Sequence, residues 1–312
     1  MLSRIADSLF WLNRYMERND CLVRVIRTNY ILSFDTDQQT DFSWKDAIIL
    51  FSYNHEVASQ YGENADAALK YMVTDTKNLN SSKVLLTKAR ENARGVQDYI
   101  TKEVWELVNQ TYHIVNTPGI DQRVTGSQSM EVIDMLDQNS VLFYGVIDST
   151  MPRGQGWRFL NLGKFIERCL LTIDNILAHS QKIEHRLDIP NDILFWRNLL
   201  LSLSGYELYL KTYTRGQYNQ NVIEHVIFNR NFPRSIVYSV QRVKRYFKEI
   251  AEHTHVDGSI SLEKQIGRIC SKVEFADMNT IKQEGLPHFL YSLRNDLTDF
   301  SKQLTQIYFS YA

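Results

Sequence analysis

The chain of 312 residues is poor in the residues that interrupt helices, with only five prolines and 13 glycines. It also has only three cysteines, Cys21, Cys169 and Cys270, which are widely spaced and form no Cys-x-x-Cys pair. This usage argues against a disulfide framework or a zinc ribbon and favours a reducing compartment. Long stretches without proline or glycine favour helices over short strands joined by turns. We therefore expect a mostly helical protein.

The chain also lacks an excess of either charge and any long hydrophobic run. It has 35 Lys and Arg against 36 Asp and Glu, so the net charge of -1 does not predict a nucleic-acid or membrane partner. No uncharged hydrophobic run reaches the roughly 18 residues of a membrane span. Arg4 and Asp7 stand where a signal peptide would need an uncharged stretch. We expect a soluble protein of the cytoplasm.

What the chain does contain is an internal repeat. Residues 9–26 (LFWLNRYMERNDCLVRVI) align without gaps with residues 159–176 (FLNLGKFIERCLLTIDNI), an offset of 150. The offset grows only to 152 at Trp44, which aligns with a second Trp-basic pair, and to 153 at Ser82. Chance matches would scatter in register, so this slow drift indicates tandem duplication of a helical unit.

The predicted fold class is all-α: an internally duplicated helical bundle with two similar helical repeats. We assign the first repeat to residues 1–150 and the second to residues 151–312, packed together as one globular unit. Proline and two glycines mark the junction at 151–157. The predicted helices of the first repeat are 3–32, 44–61, 83–115 and 130–147, with a polar connection at 35–41. Helices of the second repeat are predicted to begin near Trp157, Asn191, Asn219 and Pro233, followed by a last helix with an apolar stripe from Leu286 to Ile307.

Each repeat carries a Glu-Arg pair on a long helix, at Glu17-Arg18 and at Glu167-Arg168. Arg14 lies three residues before Glu17, so the two side chains can meet on one helix face. Adjacent residues point about 100° apart, so Glu17 and Arg18 are expected to contact different neighbouring helices. The predicted helix 83–115 contributes further charges in the phrase ARENARGVQD. If these helices pack together, they form an arginine cluster crossed by carboxylates.

Three interpretations of this cluster stay open. The buried pairs can serve only to fix the register of one helix against another. Alternatively, the planar guanidinium forks bind an anion or a peptide carboxylate, provided that the acids do not already saturate them. In the third interpretation Glu17 or Glu167 acts in general acid–base catalysis. Neighbouring arginines keep a carboxylate ionised, which counts against an acid but not against a base.

Standard catalytic and cofactor motifs are absent from the sequence. There is no GxxxxGK[ST] or GxGxxG phosphate loop, no GxSxG serine and no HExxH metal pair. The pair His253-x-His255 has no partner ligands at the usual spacing, so we predict no metal site and no cofactor. This absence argues against an enzyme that acts alone.

Four phrases together resemble a known family. LSRIADSLFWLNRYMERND, ARENARGVQD, MPRGQGWRFLNLGKFIER and NFPRSIVYSV, in this order and over nearly the whole length, resemble the bacterial Alpha-E family, all-helical and of unknown function. The resemblance implies conserved charged positions, from which we take the candidate ligand-binding residues Arg4, Arg14, Glu17, Arg18, Arg90, Glu91, Arg94, Arg153, Glu167, Arg168 and Arg234. Lys164 replaces the arginine that the family often has there, which removes bidentate geometry at that point.

The resemblance also implies partners. Family members are typically encoded beside, or fused to, a circularly permuted ATP-grasp protein, often near a transglutaminase-like protein and a proteasome-related peptidase. We therefore expect a non-catalytic or substrate-presenting partner of an ATP-grasp amide (peptide) ligase, which binds an anionic group or a peptide carboxylate through clustered arginines. The alternatives are an independent enzyme of acyl or amide chemistry that uses Glu17 or Glu167, and a purely structural helical scaffold.

Overall fold

The computed structural model describes residues 3–34, 42–213, 216–254 and 256–309, which form 16 α-helices and one short 3-10 helix. No strand occurs within these ranges. The predicted all-α fold class is therefore confirmed, whereas the internal duplication stays a prediction. The polar connection expected at 35–41 and the candidate imidazole of His255 lie outside the described residues.

Contacts divide the chain into two compact units. The N-terminal unit comprises Trp11–Arg153, and the C-terminal unit comprises Met1–Phe10 together with Gly154–Ala312. The first two turns of the first helix are therefore grouped with the later part of the chain. The division of the chain into repeats at 1–150 and 151–312 stays a prediction.

The helices are numbered in chain order. The helices up to the end of the N-terminal unit are α1 (Ser3–Leu32), α2 (Trp44–Ser52), α3 (His55–Tyr61), α4 (Ala65–Val73), α5 (Ser82–Gly95), the 3-10 helix (Gln97–Tyr99), α6 (Lys102–Asn116), α7 (Ile120–Val124) and α8 (Ser129–Thr150). The later helices, all in the C-terminal unit, are α9 (Gln155–Gln181), α10 (Ile193–Ser202), α11 (Tyr206–Thr212), α12 (Tyr218–Phe228), α13 (Ile236–Ala251), α14 (Ser259–Glu274), α15 (Met278–Glu284) and α16 (Leu286–Tyr308).

Helix α1 has no proline or glycine over its 30 residues, which explains its length. Its apolar residues Leu9, Leu12 and Met16, three and four positions apart, are fully buried. Polar residues on the remaining faces are buried too, among them Asn13, Glu17, Asp20 and Arg24. A helix that buries charge on this scale must supply each charge with partners, because an unpaired buried charge is strongly destabilising.

The single helix predicted at 44–61 is wrong, because the chain breaks between α2 and α3. Tyr53 adopts the left-handed conformation at φ 53°, which ends α2. Asn54 then begins α3, since its side-chain oxygen accepts hydrogen bonds from the backbone N–H groups of Glu56 and Val57. The Asn cap was the sequence signal for this break.

The single helix predicted at 83–115 is also wrong. Helix α5 ends at Gly95, the 3-10 helix follows, and Thr101 caps α6 by accepting a hydrogen bond from the N–H of Val104. Helix α6 then packs against α5. Glycine in a helix costs about 1 kcal/mol relative to alanine, so Gly95 weakens α5 at the point where the helix ends.

In the C-terminal unit, α13 packs against α9 and α14, and α16 packs against α9 and α14. Ser235, rather than Pro233, marks the start of α13, because its side chain accepts a hydrogen bond from the N–H of Tyr238. The predicted stripe of α16 is confirmed: its leucines and Phe300 are fully buried, whereas Ile307 is partly exposed. Within the described residues, no helix is both long and apolar enough to cross a membrane.

Candidate functional site

The Glu-Arg motif of the N-terminal unit is built around a buried carboxylate. Glu17 on α1 is 1% exposed and accepts a hydrogen bond of 2.7 Å from the hydroxyl of Tyr144 on α8. A phenol that donates to an ionised carboxylate makes a charge-assisted bond, stronger than a neutral one. Tyr144 was not predicted from the sequence, since nothing local to it indicates that α8 faces α1.

Arg18 fixes a loop. Its Nη1 donates to the side-chain oxygen of Asn80 at 2.9 Å, and the Asn80 amide donates to the Phe51 carbonyl at 2.7 Å. Asn80 lies just before Ser81, whose hydroxyl caps α5 through the N–H of Val84. Arg18 therefore connects α1 to the end of α2 and to the start of α5.

Arg14 belongs to a row of aromatic rings and cations that we name the N-terminal cationic cluster: Trp11, Arg14, Tyr15 and Lys88. The Arg14 guanidinium lies 4.6 Å from the Trp11 ring, which stacks on Tyr15 with ring centroids 5.5 Å apart. The Lys88 ammonium on α5 lies 5.6 Å from the Tyr15 ring. Cations held over rings in this way are attracted by the ring quadrupole. The residue of α5 that joins this cluster is Lys88, which the sequence did not single out.

The predicted arginines of α5 take other positions. Arg90 donates to the Asn109 side chain at 2.6 Å and lies 4.7 Å from the Tyr112 ring, so it contacts α6. Glu91 and Arg94 are exposed. Arg153 is exposed at the end of the unit and pairs with Asp148 at 2.9 Å. The structure thus brings Arg14, Glu17 and Arg18 together on α1 but does not place the α5 and junction arginines among their described contacts.

The Glu-Arg motif of the C-terminal unit is buried to a similar degree. Glu167 is 1% and Arg168 is 7% exposed. Arg168 donates to the carbonyl of Pro233 at 3.4 Å, and Thr172, one turn later, donates to the carbonyl of Arg234 at 3.1 Å. Both bonds hold the segment that precedes α13, and in this segment Arg234 is partly exposed. Arg4, on the first turn of α1, is exposed.

A larger group of rings and cations surrounds Arg168. We name it the C-terminal cationic cluster; its members on α9 and α13 are Arg158, Lys164, Phe165, Arg168, Tyr238, Arg242, Arg245 and Tyr246. Arg168 and Lys164 lie 5.3 and 5.5 Å from the Phe165 ring, whose centroid is 5.9 Å from that of Tyr246. On α13, Arg242 lies 4.8 Å from the Tyr238 ring, and Arg245 lies 5.9 Å from the Tyr246 ring.

One acid of this cluster pairs with two of its arginines. Glu249 pairs with Arg245 at 2.9 Å and with Arg158 at 3.1 Å. Burial alone would raise the pKa of Glu249, but the hydrogen bonds from the two arginines lower it overall, so the carboxylate is held ionised. Burial raises the pKa of Tyr246 although Arg242 and Arg245 act to lower it. Arg242, Arg245 and Tyr246 were missed from the sequence, although Tyr238-x-x-x-Arg242 has the spacing of one helix face.

The chemistry available elsewhere is limited. Within the described residues, no group of three His, Cys, Asp or Glu side chains is arranged to hold a metal ion. All three cysteines are buried, and burial raises the pKa of Cys169 and raises that of Cys270 to about 11. A thiol with a raised pKa is a poor nucleophile near neutral pH. Cys169 and Cys270 therefore offer no good nucleophile near neutral pH.

Comparison with known proteins adds a family and distant relatives. The model of the Alpha-E family, described as a predicted alpha-helical domain with a conserved ER motif, matches residues 1–309. Two uncharacterized proteins, Mb2597 of Mycobacterium bovis and Rv2567 of Mycobacterium tuberculosis, are each 22% identical over 272 residues. These matches cover 79% of this chain but 30% of each relative, so the chain spans about a third of their length. No solved structure matches it.

Proposed function

Because this chain belongs to the Alpha-E family, we propose that it is a non-catalytic, substrate-presenting partner of an ATP-grasp amide ligase and binds an anionic group or a peptide carboxylate through its clustered arginines. The partnership rests on the gene neighbourhood that the family resemblance implies. Anion binding rests on the site itself. The observation that carries it is the C-terminal cationic cluster, in which several guanidinium groups lie over aromatic rings.

A guanidinium has five N–H donors, and in this cluster the described bonds use one N–H group of Arg242, which donates to the Tyr238 hydroxyl at 3.1 Å, and one of Arg245, which donates to Glu249 at 2.9 Å. The N–H edge is the part of arginine that binds carboxylate or phosphate in a bidentate way. The rings themselves are largely covered: Phe165 is 6% and Tyr246 is 5% exposed. They offer no open face on which a nucleobase can stack, which favours a carboxylate over a nucleic acid.

The arginines divide into two roles under this proposal. Arg18 and Arg168 each hold a loop, so they position the motif helices. Arg242 and Arg245 in the C-terminal unit, which are partly exposed and exposed, carry the anion-binding role, whereas Arg14 in the N-terminal unit is buried. Glu17 and Glu167 are each 1% exposed, so neither is placed to reach the proton of a substrate in solvent, and this favours binding over independent catalysis.

We also propose that the two halves arose by duplication. Arg18 and Arg168 are 150 positions apart, and their partners, Asn80 and Pro233, are 153 apart, the same register drift as in the sequence alignment. A serine that caps the next helix follows each partner closely. A shared ancestor accounts for equivalent arginines that hold equivalent loops.

The first experiment is calorimetric titration of the chain with the ATP-grasp protein encoded beside it, with and without ATP, and with a glutamate-rich peptide. We expect micromolar binding of the partner, and weaker binding of the peptide that falls with added salt. In the double variant Arg242→Gln/Arg245→Gln, the affinity for the glutamate-rich peptide should fall by about tenfold or more, equivalent to about 1.4 kcal/mol. Arg245 is well exposed, so this variant should keep its thermal stability.

The matched control is Lys244→Gln/Lys248→Gln, which removes the same charge from exposed positions of the same helix, outside the cluster. An equal loss of binding in both variants would mean that net charge alone attracts the ligand. Absence of binding to the ATP-grasp protein would sink the partnership, and absence of binding to the acidic peptide would sink the anion site.

A further inference from the structure

The C-terminal unit contains a surface cavity that neither Glu-Arg motif touches. It has a volume of about 320 Å³ and lies between α11, α12 and the segment that follows α12. Its apolar wall includes Leu208 and Phe228, and its polar wall includes Tyr213, Glu224, Asn229 and Arg230. The volume lies at the lower end of the range for small-ligand sites, and the combination of an apolar wall with a few polar groups is typical of them.

The walls of the cavity are held in place from behind by His225, which is fully buried. Its ring contacts that of Tyr213 at 5.7 Å and stacks on that of Phe232 at 4.7 Å. Its Nδ1 lies 3.1 Å from the side-chain nitrogen of Asn229. A Cβ at Gly205 would lie 2.7 Å from the Phe232 ring, so this close approach requires glycine. Tyr213 and Asn229 are therefore pre-positioned, which lowers the entropic cost of binding a ligand.

The lining of the cavity carries two opposite charges, Glu224 and Arg230. Burial and then the charge of Glu224 raise the pKa of Tyr213 to about 12, so this carboxylate acts on Tyr213. Arg230 lies beyond the last residue of α12. Among the described residues, no ion pair engages Glu224 or Arg230. The two charges are available to a ligand that brings a positive and a negative group of its own.

We propose that this cavity binds a small zwitterion, with its ammonium group at Glu224, its carboxylate at Arg230 and its apolar body on Leu208 and Phe228. A short peptide is the ligand class that fits best. Glu224 and Phe228 are four residues apart on α12, a rise of about 6 Å, and Arg230 lies two residues beyond the end of the helix. The termini of a dipeptide are separated by two residue lengths, about 7 Å, which suits this separation along the chain better than a free amino acid, because an amino acid carries both charges on one carbon.

The site is independent of the proposed anion-binding role, because it shares no residue with either cationic cluster. The test is calorimetric titration of the full chain with four probes: leucyl-leucine, N-acetyl-leucyl-leucine, leucyl-leucinamide and free leucine. We expect leucyl-leucine to bind in the range of about 0.1 to 1 mM, typical of a weak small-ligand site. Each blocked dipeptide, and free leucine, should bind at least about tenfold more weakly.

Two variants assign each end of the ligand. Arg230→Gln should weaken the binding of leucyl-leucine about tenfold but leave that of leucyl-leucinamide unchanged, because the amide has no carboxylate to lose. Glu224→Gln should weaken leucyl-leucine in the same way and leave the N-acetyl dipeptide unchanged. Both positions are exposed, so neither variant should alter thermal stability. Glu207→Gln and Arg186→Gln, at exposed positions outside the cavity, are the matched controls.

Adding 6-aminohexanoate as a fifth probe distinguishes a peptide from any zwitterion of similar length. Weaker binding of this probe than of leucyl-leucine supports the peptide, and equal binding supports the broader zwitterion class. The proposal is overturned if leucyl-leucine does not bind at millimolar concentration, or if both charge variants bind it as tightly as the unaltered chain. Neither result bears on the arginine clusters, which are tested with other ligands and other variants.

Discussion

The two Glu-Arg motifs do the same structural work by different contacts. In the N-terminal unit Arg18 binds a side chain, that of Asn80, whereas in the C-terminal unit Arg168 binds the backbone carbonyl of Pro233. Each bond holds the segment before a serine-capped helix. The motif therefore specifies a helix-to-loop contact, and the partner at the loop is free to change as long as it offers an oxygen.

The contacts of α8 with α1 in the N-terminal unit and of α16 with α9 in the C-terminal unit also differ. In the N-terminal unit, Tyr144 of α8 donates a neutral hydroxyl to the buried Glu17, while the charged pair of Arg27 on α1 with Asp134 on α8 lies nearer the surface, with side chains 39% and 38% exposed. In the C-terminal unit, Arg294 of α16 donates two guanidinium bonds, of 2.7 and 3.3 Å, to Asp174. Removing one member of a buried charged pair leaves the other charge without its partner. We therefore expect the stability of the C-terminal unit to depend more strongly on the contact of Arg294 with Asp174 than that of the N-terminal unit depends on the contact of Tyr144 with Glu17.

The largest expected effect tests this difference. Arg294→Ala should lower the free energy of unfolding by about 3 kcal/mol, because Asp174, 8% exposed, loses its charged partner. Tyr144→Phe should cost about 1 kcal/mol, the usual value for one hydrogen bond. Urea denaturation measures both. The double variant Arg294→Ala/Asp174→Asn is the control and should recover part of the loss. Equal costs for the two single variants would contradict the comparison.

The second expected effect is a loss of stability at acidic pH in the C-terminal unit, caused by His225. Burial lowers the pKa of His225 to about 4, while the Gly205 carbonyl acts in the opposite direction. The folded state therefore favours neutral histidine, and this contribution to stability is complete above about 6.5. It is lost as the pH falls from about 6.5 to about 4, by at most about 1.4 kcal/mol per pH unit, because only the unfolded chain takes up the proton.

Hydrogen exchange at pH 7 and at pH 4.5 should show the acid loss of protection in the C-terminal unit, around α12. The histidines of the N-terminal unit, His55 and His113, are exposed and provide the internal comparison. His225→Gln should flatten the pH dependence while lowering stability at neutral pH. An unaltered pH dependence in this variant would show that other groups cause the acid loss.

A third, smaller effect concerns the loop contacts of the two arginines. A double-mutant cycle on Arg18→Ala and Asn80→Ala should give a coupling energy of about 1 kcal/mol, because both groups of one partly exposed hydrogen bond are side chains. The same cycle on Arg168→Ala and Pro233→Ala should give a coupling near zero, since the Pro233 carbonyl survives the substitution. Coupling of equal size in both units would mean that the two loops are held in the same way.

The smallest expected effect concerns Asp137, whose ionised form is disfavoured by its surroundings in the N-terminal unit. Burial and then the neighbouring Asp20 raise the pKa of Asp137, although Arg27 and Arg24 lower it. A raised carboxyl pKa means that stability falls as the pH rises through that value. Asp137→Asn should therefore stabilise the fold slightly at pH 7. Asp134→Asn, which removes the 2.8 Å pair with Arg27, is the contrasting control and should not stabilise it.

Sequence reasoning succeeded where the signal is local and periodic. The stripe of α16 and the absence of helix breakers in α1 are written in residue spacing, and both helices are present. It failed at Tyr53, where a residue in the left-handed conformation ends α2, and after Gly95, where α5 ends. Whether a helix continues or breaks depends on the free energy of packing the segment that folds back. That free energy is set by residues distant in sequence.

The same distinction between local and non-local signals applies to the residues of the candidate site. Arg14, Glu17, Glu167 and Arg168 were singled out from the motif as candidate site residues, whereas Lys88, Tyr144, Arg242 and Arg245 were not. The first group lies on one helix in each unit, and its spacing can be read directly. The second group comes from helices distant in sequence, and no local feature of those helices shows which of their faces meets the motif.

The sequence by itself determined that this protein is helical, that a Glu-Arg pair occurs on two long helices, and which residues share a face on each, because the helical period converts spacing into direction. The tertiary structure decided that Arg90 contacts α6 while Lys88 joins the Tyr15 ring, and that Arg242 and Arg245 extend the charge around Arg168. The physical reason is that the side chains on one helix are ordered by local geometry, whereas the pairing of helices is set by burial summed over the whole unit.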